Sequence, residues 1–182
     1  MKQILVILAA VIGIVSASTT VASTASGNAV ISSAIIVGKS SCAKLVNTTQ
    51  PFILVLRSGD ELLESVTQCA KDAKLASAAI NGLGQLHNPS LAYFSKNPKD
   101  KPVLTTFSGY YELASLNGDI TNNNNKYYTH AHVVLADEKF HGIAGHLNSA
   151  IVGLTVEIAI IPLQFPVQRA VDAKTGFGLI VQ

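Results

Sequence analysis

The chain has 182 residues, 48% hydrophobic, 13% charged and 6% aromatic, with a mean hydropathy of +0.37 and a formal charge of +2. That length holds one ordinary domain with short extensions, and so apolar a chain with so few charges is not intrinsically disordered. The small charge denies it the dense positive field with which nucleic-acid binders displace counterions, and two cysteines exclude both a disulfide-rich scaffold and a four-thiolate zinc site.

Met1 and Lys2 precede an uncharged apolar run over 4–15 and a small, polar stretch from Ser16. This order predicts a secretory signal peptide over 1–17, cut after Ala17 or as late as Ala22. The run falls short of the roughly 20 apolar residues that a membrane span needs, so no stable span is expected after cleavage. The predicted location is outside a bacterial cytoplasm, periplasmic or secreted. Residues 18–50 read as a Ser/Thr/Ala-rich leader, within which 29–37 is apolar enough to be a strand or a docked segment. In an oxidising compartment a Cys42–Cys69 bridge competes with a plainer reading of Cys69 as a buried small hydrophobe.

A domain is expected over 51–182. Residues 52–56 form an apolar run of strand length. Over 60–74, Leu62, Leu63, Val66, Cys69, Ala70 and Ala73 fall on one helical face, with Ser58 and Glu61 spaced as a capping box. Residues 76–83 read as a second strand, ended by Gly82 and Gly84. Short β segments follow at 90–95, 104–113 and 114–121, with a proline-bounded polar loop between the first two. The asparagines of 122–126 read as a hairpin tip, followed by strands at 127–136, 140–147 and 150–161 around a turn at 137–139. The predicted class is α+β, a mostly antiparallel sheet with one main helix.

Chemistry concentrates in the histidines. His130 and His132, two apart on a strand, project from the same face, the spacing by which one strand offers two imidazoles to one metal. His146 follows a glycine-bearing turn, and an antiparallel partner returns it alongside, with Gly145 leaving room for close approach of the backbone. Three neutral imidazoles suit Zn2+ or another divalent transition metal and leave a fourth position for water or a small-molecule ligand. Alone, the pair also fits a half-buried strand with two polar residues on its solvent face. Glu157 is the lone charge in the apolar stretch 154–160. It is a candidate catalytic base on a metal-bound water, a fourth ligand, an acceptor behind a ligand imidazole, or an edge carboxylate facing water or another subunit. His87 and His141 read as surface histidines. No nucleophile elbow, HExxH, P-loop, CxxC or complete dinucleotide fingerprint occurs.

The order of several short stretches resembles the PPC family, the plants and prokaryotes conserved domain also called DUF296 or PCC. These are Leu54-Val55-Leu56-Arg57-Ser58-Gly59-Asp60-Glu61, Ile80-Asn81-Gly82-Leu83-Gly84, His130-Ala131-His132-Val133-Val134-Leu135, Gly145-His146-Leu147, and the tail from Gln168 to Phe177. The resemblance implies a compact domain that assembles as a homotrimer. In prokaryotic members it also implies a metal, usually zinc, held by the HxH pair and the later histidine, here His130, His132 and His146. Plant members couple the domain to an AT-hook that grips DNA; this sequence has none, and DNA is not an expected partner. Two function classes stay open: a metal- or small-ligand-binding trimer, and a zinc-dependent enzyme.

Overall fold

The computed structural model describes residues 35–97, 99–123 and 126–181; the predicted signal peptide and the leader up to residue 34 lie outside the described residues. Its strands are β1 (Ile35–Gly38), β2 (Phe52–Arg57), β3 (Ser77–Tyr93), β4 (Val103–Thr106), β5 (Tyr110–Asn123), β6 (Lys126–Ala136), β7 (Gly142–Leu163), β8 (Gln168–Val171) and β9 (Gly178–Ile180). A 3-10 turn over Lys39–Leu45 and the helix α1 (Leu62–Asp72) complete the domain, which is α+β with the sheet dominant, as the sequence predicts.

The apolar run after Pro51 becomes β2 by alternation: Phe52, Leu54 and Leu56 are buried, while Ile53 and Val55 look out from the other face. In α1, Leu62, Ser65, Val66, Cys69 and Ala70 recur at helical spacing and are buried. Glu61, not Ser58, caps the helix, its carboxylate accepting the Glu64 N–H. The expected capping box fails because Ser58 and Gly59 belong to the preceding turn, where Asp60 accepts the Arg57 N–H. At the other end Leu75 N–H bonds to the Ala70 carbonyl and Lys74 N–H to Lys71, the paired closure of a Schellman motif with Lys74 at φ 50°.

Residues 35–50, expected as the end of the leader, instead join the domain. β1 pairs in parallel with β2, Ile35 opposite Phe52 and Gly38 opposite Val55. A Cys42–Cys69 disulfide, Cα–Cα 5.2 Å, fastens the 3-10 turn to α1, and both cysteines are buried. The apolar stretch 29–37, read as a strand or a docked segment, supplies β1 from Ile35 on, and half-buried Ile35 and Val37 pack on the core cluster.

Two further expectations change. Gly82 and Gly84 do not end a strand, and β7 is one strand of 22 residues where a break was expected near 148. The glycines instead let β3 press onto β7 through a register shift: a Cβ on Gly84 would stand 2.2 Å from the Thr155 carbonyl oxygen. β2 and β3 flank β7, both antiparallel to it, and β3 pairs with β5, β5 with β6, and β6 with the start of β7. β3, β5, β6 and β7 therefore form a closed ring of neighbours. Among the described residues no helix is long and apolar enough to cross a membrane.

One face of this sheet carries the core: Leu54, Ile80, Leu116, Ile120, Val133 and Ile158 are all buried. α1 is anchored to β6 on that side by Thr67 Oγ1 against Thr129 Oγ1, 2.7 Å. Because side chains alternate along a strand, turning Thr129, Ala131 and Val133 inward leaves His130 and His132 on the outer face.

Candidate metal centre

His132 and His146 are direct partners in the β6–β7 ladder, which runs Ala136 opposite Gly142 down to this pair. The hairpin between them is set by Asp137, whose side chain accepts the N–H groups of Lys139 and His141. His130 lies two positions before His132, and the ligand-capable atoms of the three histidines all lie within 4.8 Å of one another. Ring centroids are 5.0 Å apart for His130–His146, 5.2 Å for His130–His132 and 5.4 Å for His132–His146. A tetrahedral zinc with bonds of about 2.0–2.1 Å places its nitrogens about 3.3 Å apart, within reach of small side-chain rotations.

Electrostatics favour the metal-binding form. Burial, then the charges of His130, His132 and Arg169, push the His146 pKa down to about 4. Burial and His130 lower His132 as well. Both imidazoles are therefore neutral at pH 7, with lone pairs available. The donor set fits a borderline-soft divalent ion.

Behind the cluster stands a polar assembly that sequence reading missed. Asp119 is opposite His130 in the β5–β6 ladder, with Oδ2 3.7 Å from His130 Nδ1. Arg169 binds Asp119 through both carboxylate oxygens at 2.9 and 3.0 Å, and its guanidinium carbon sits 5.5 Å from the centre of the Tyr128 ring. Burial raises the Asp119 pKa, but the nearby His130 ring and the Arg169 guanidinium, which donates to both carboxylate oxygens, outweigh it and hold the carboxyl below its ordinary value. Nothing near Arg169 in the sequence marks it; the available signal is that a charge inside a short strand needs a partner. On the other flank, Phe94 packs edge-on to His146, centroids 5.1 Å apart.

Glu157 is not brought to the histidines. It is exposed on the outer sheet face, opposite Val55 on β2 and Leu83 on β3. It shares β7 with His146 but lies eleven residues farther along it, roughly 36 Å of strand at about 3.3 Å per residue, in the part of β7 that pairs with β2 and β3 and not with β6. It faces outward as the edge reading has it, but from a strand paired on both sides and not from an edge; the readings of ligand, acceptor and base do not describe its position. Gly145 is not the glycine the site requires either, since a Cβ there would meet Leu91 at an ordinary 3.4 Å. That glycine is Gly118, opposite Ala131, where a Cβ would stand 2.1 Å from the His130 carbonyl oxygen. His141 pairs with Asp137 at 3.1 Å on the hairpin tip, and His87 stacks on Tyr110, centroids 4.5 Å apart; neither joins the cluster.

A family model described as the Plants and Prokaryotes Conserved (PCC) domain matches residues 43–164. Among solved structures, the chain is 28% identical to a plant- and prokaryote-conserved protein of Pyrococcus horikoshii, covering 73% of this chain and 92% of that one, with a TM-score of 0.67. A protein of Ralstonia eutropha JMP134, provisionally described as DNA-binding, is 27% identical over 75% of this chain and 94% of its own, with a TM-score of 0.68. A metal-containing protein of Archaeoglobus fulgidus shares the fold at 24% identity, over 73% of this chain and 94% of its own, with a TM-score of 0.66. No curated protein matches the chain.

Proposed function

The chain belongs to the Plants and Prokaryotes Conserved domain family, and from that premise we propose that it is an exported homotrimer that binds one divalent metal per chain, zinc before others, through His130, His132 and His146. The observation that carries this reading is the convergence of three imidazoles, two of them held neutral, from neighbouring strands. The Archaeoglobus fulgidus protein of the same fold is described as metal-containing, which supports it. Zinc on three imidazoles keeps a fourth position for water or a small ligand. A binding role is favoured over catalysis because Asp119, the carboxylate at the cluster, is engaged by Arg169 through both oxygens, and Glu157 is remote.

Trimer formation is supported by the outer sheet face. Ile36, Leu83 and Ile161 are exposed there, and a groove of about 510 Å³ is lined by Ile36, Ile53, Val55, Leu83, Ala159 and Glu157. A contiguous apolar surface of this kind calls for a partner. Export is supported by the buried Cys42–Cys69 disulfide, which persists in oxidising compartments. A charge of +2 is poorly matched to duplex DNA, so DNA is not proposed as a partner despite the description of the Ralstonia eutropha relative.

Elemental analysis of protein purified without a histidine tag tests the central reading. One zinc or similar ion per chain is expected, and none in the His130→Ala/His146→Ala double variant. Metal retained by that variant would eliminate the site.

A further inference from the structure

The C-terminal strands are held to the histidine cluster by contacts that their sheet pairing alone does not supply. Among the described residues β8 meets β5 at two residue pairs, Asn122 with Gln168 and Asn123 with Arg169, and β9 pairs with β8. The stronger attachment is the Arg169 side chain, 8% exposed. Its Nε donates to Thr121 Oγ1 at 2.9 Å and its Nη1 to the Gly178 carbonyl at 3.0 Å. Its Nη2 donates to Asp119 and lies 3.2 Å from His130 Nδ1. A guanidinium so far removed from water requires partners of this kind, and one side chain spans β9, β5 and the imidazole of β6. A second tether runs through Phe177, next to Gly178: it packs edge-on to Phe94 at 5.2 Å, and Phe94 packs on His146.

We propose that Arg169 is a positioning residue that couples the metal centre to the β8–β9 hairpin, so that metal binding and hairpin docking strengthen each other. The inference rests on the metal reading of the three histidines. Through Arg169 the docked hairpin holds the Asp119 carboxylate on the Nδ1 side of His130, where it can accept the Nδ1–H of an imidazole that coordinates through Nε2, and it walls His146 through Phe177 and Phe94, which orders two ligands in advance. Linkage is reciprocal: if docking raises metal affinity by some factor, bound metal favours docking by the same factor.

The test is hydrogen exchange of the full, tag-free chain with zinc alone and after chelation, together with zinc affinity for Arg169→Gln and Arg169→Lys. Wild-type amides over 168–180 are expected to gain about tenfold or more in protection on zinc binding. Both variants are expected to bind zinc about 10–100-fold more weakly, the scale for residues that orient ligands, and to lose the zinc-dependent protection. Lysine keeps the charge and the aliphatic stem but not the fork, so a role in charge or packing alone predicts wild-type behaviour for Arg169→Lys. Equal hairpin protection with and without zinc in wild type overturns the coupling, as does unchanged affinity in a folded variant. If neither variant folds, the wild-type exchange comparison decides. Failure of wild type to bind zinc overturns the metal reading itself, and is distinct from binding without coupling.

Discussion

His132 and His146 face each other across the β6–β7 ladder as direct partners, so the metal-binding pair is a property of strand register. Slipping the pairing by one residue would send one imidazole to the core face, and the buried alternation of Ala131, Val133 and Leu135 opposes that slip. Removing either histidine leaves the register intact and deletes one donor. His132→Ala and His146→Ala are each expected to weaken zinc binding by more than about 100-fold, beyond the range seen for residues that only orient ligands. Competition titration with a chromophoric chelator checks this, with circular dichroism to show that the fold is kept.

Acid should act on the metal-free protein through the same residues. His146 is held down to about 4 and His132 is lowered in the folded state, while unfolded histidines titrate near 6.5. Between pH 6.5 and about 4 the unfolded chain therefore binds more protons, so stability falls as pH drops through that window and is flat with respect to these groups above it. Thermal melts of the apo-protein from pH 7.5 to 4 should show this slope, and His146→Asn should reduce it. Zinc retention should likewise extend below the pH at which an ordinary histidine site empties.

Much of the fold and of the histidine cluster is legible in the sequence because its signals are local. Alternation in β2, the helical spacing of Leu62, Val66 and Cys69, and the two-residue spacing of His130 and His132 each need only a short window. What stays hidden depends on distant partners. Arg169 lies 39 positions from His130 and 50 from Asp119, and nothing in its neighbourhood predicts either contact. Glycines mislead in the opposite way: Gly82 and Gly84 look like strand breakers until β7 is seen to pass against them. Glu157 stands out as a charge in an apolar run, but the run is apolar toward two different surroundings, the core and the outer face.

The disulfide closes a separation of 27 residues between Cys42 and Cys69. Chain-entropy reasoning gives a loop of that size about 3–4 kcal/mol of stabilisation. Cys42→Ala/Cys69→Ala is expected to lose about 2–4 kcal/mol in urea unfolding, with zinc still bound, because neither cysteine touches the histidine cluster. An unchanged midpoint would mean that the bridge merely decorates an already fixed 3-10 turn.

Leu83 separates a monomer from an assembly. It is 57% exposed in the single chain and lies in the apolar groove opposite Glu157. In a monomer, Leu83→Asp is a surface change worth within about 0.5 kcal/mol. In a trimer built on this face it buries a charge beside the carboxylate of Glu157, and the mass by light scattering should drop to one third. Glu157→Gln should leave zinc stoichiometry unchanged.

Gly118 links backbone packing to the metal centre most directly. It lies between Asn117 and Asp119 on β5, opposite Ala131, the residue between the two β6 histidines. A Cβ there would stand 2.1 Å from the His130 carbonyl oxygen and 3.0 Å from the Ala131 Cα, both backbone atoms, so no side-chain rotation relieves the clash. Either β5 and β6 separate at this point, breaking the ladder that sets Asp119 against His130, or β6 shifts and carries both imidazoles with it. Gly118→Ala is therefore expected to cost more than about 2 kcal/mol, in the upper part of the range for single substitutions. In any fraction that still folds, it should weaken zinc binding as well. The control is Gly145→Ala on β7, next to His146, where a Cβ meets only ordinary contacts of 3.4–3.5 Å. It should keep both stability and metal. If Gly118→Ala folds with wild-type zinc affinity while Gly145→Ala loses it, the close approach that positions the imidazoles lies on the β7 side of β6, and Gly118 does not set the site.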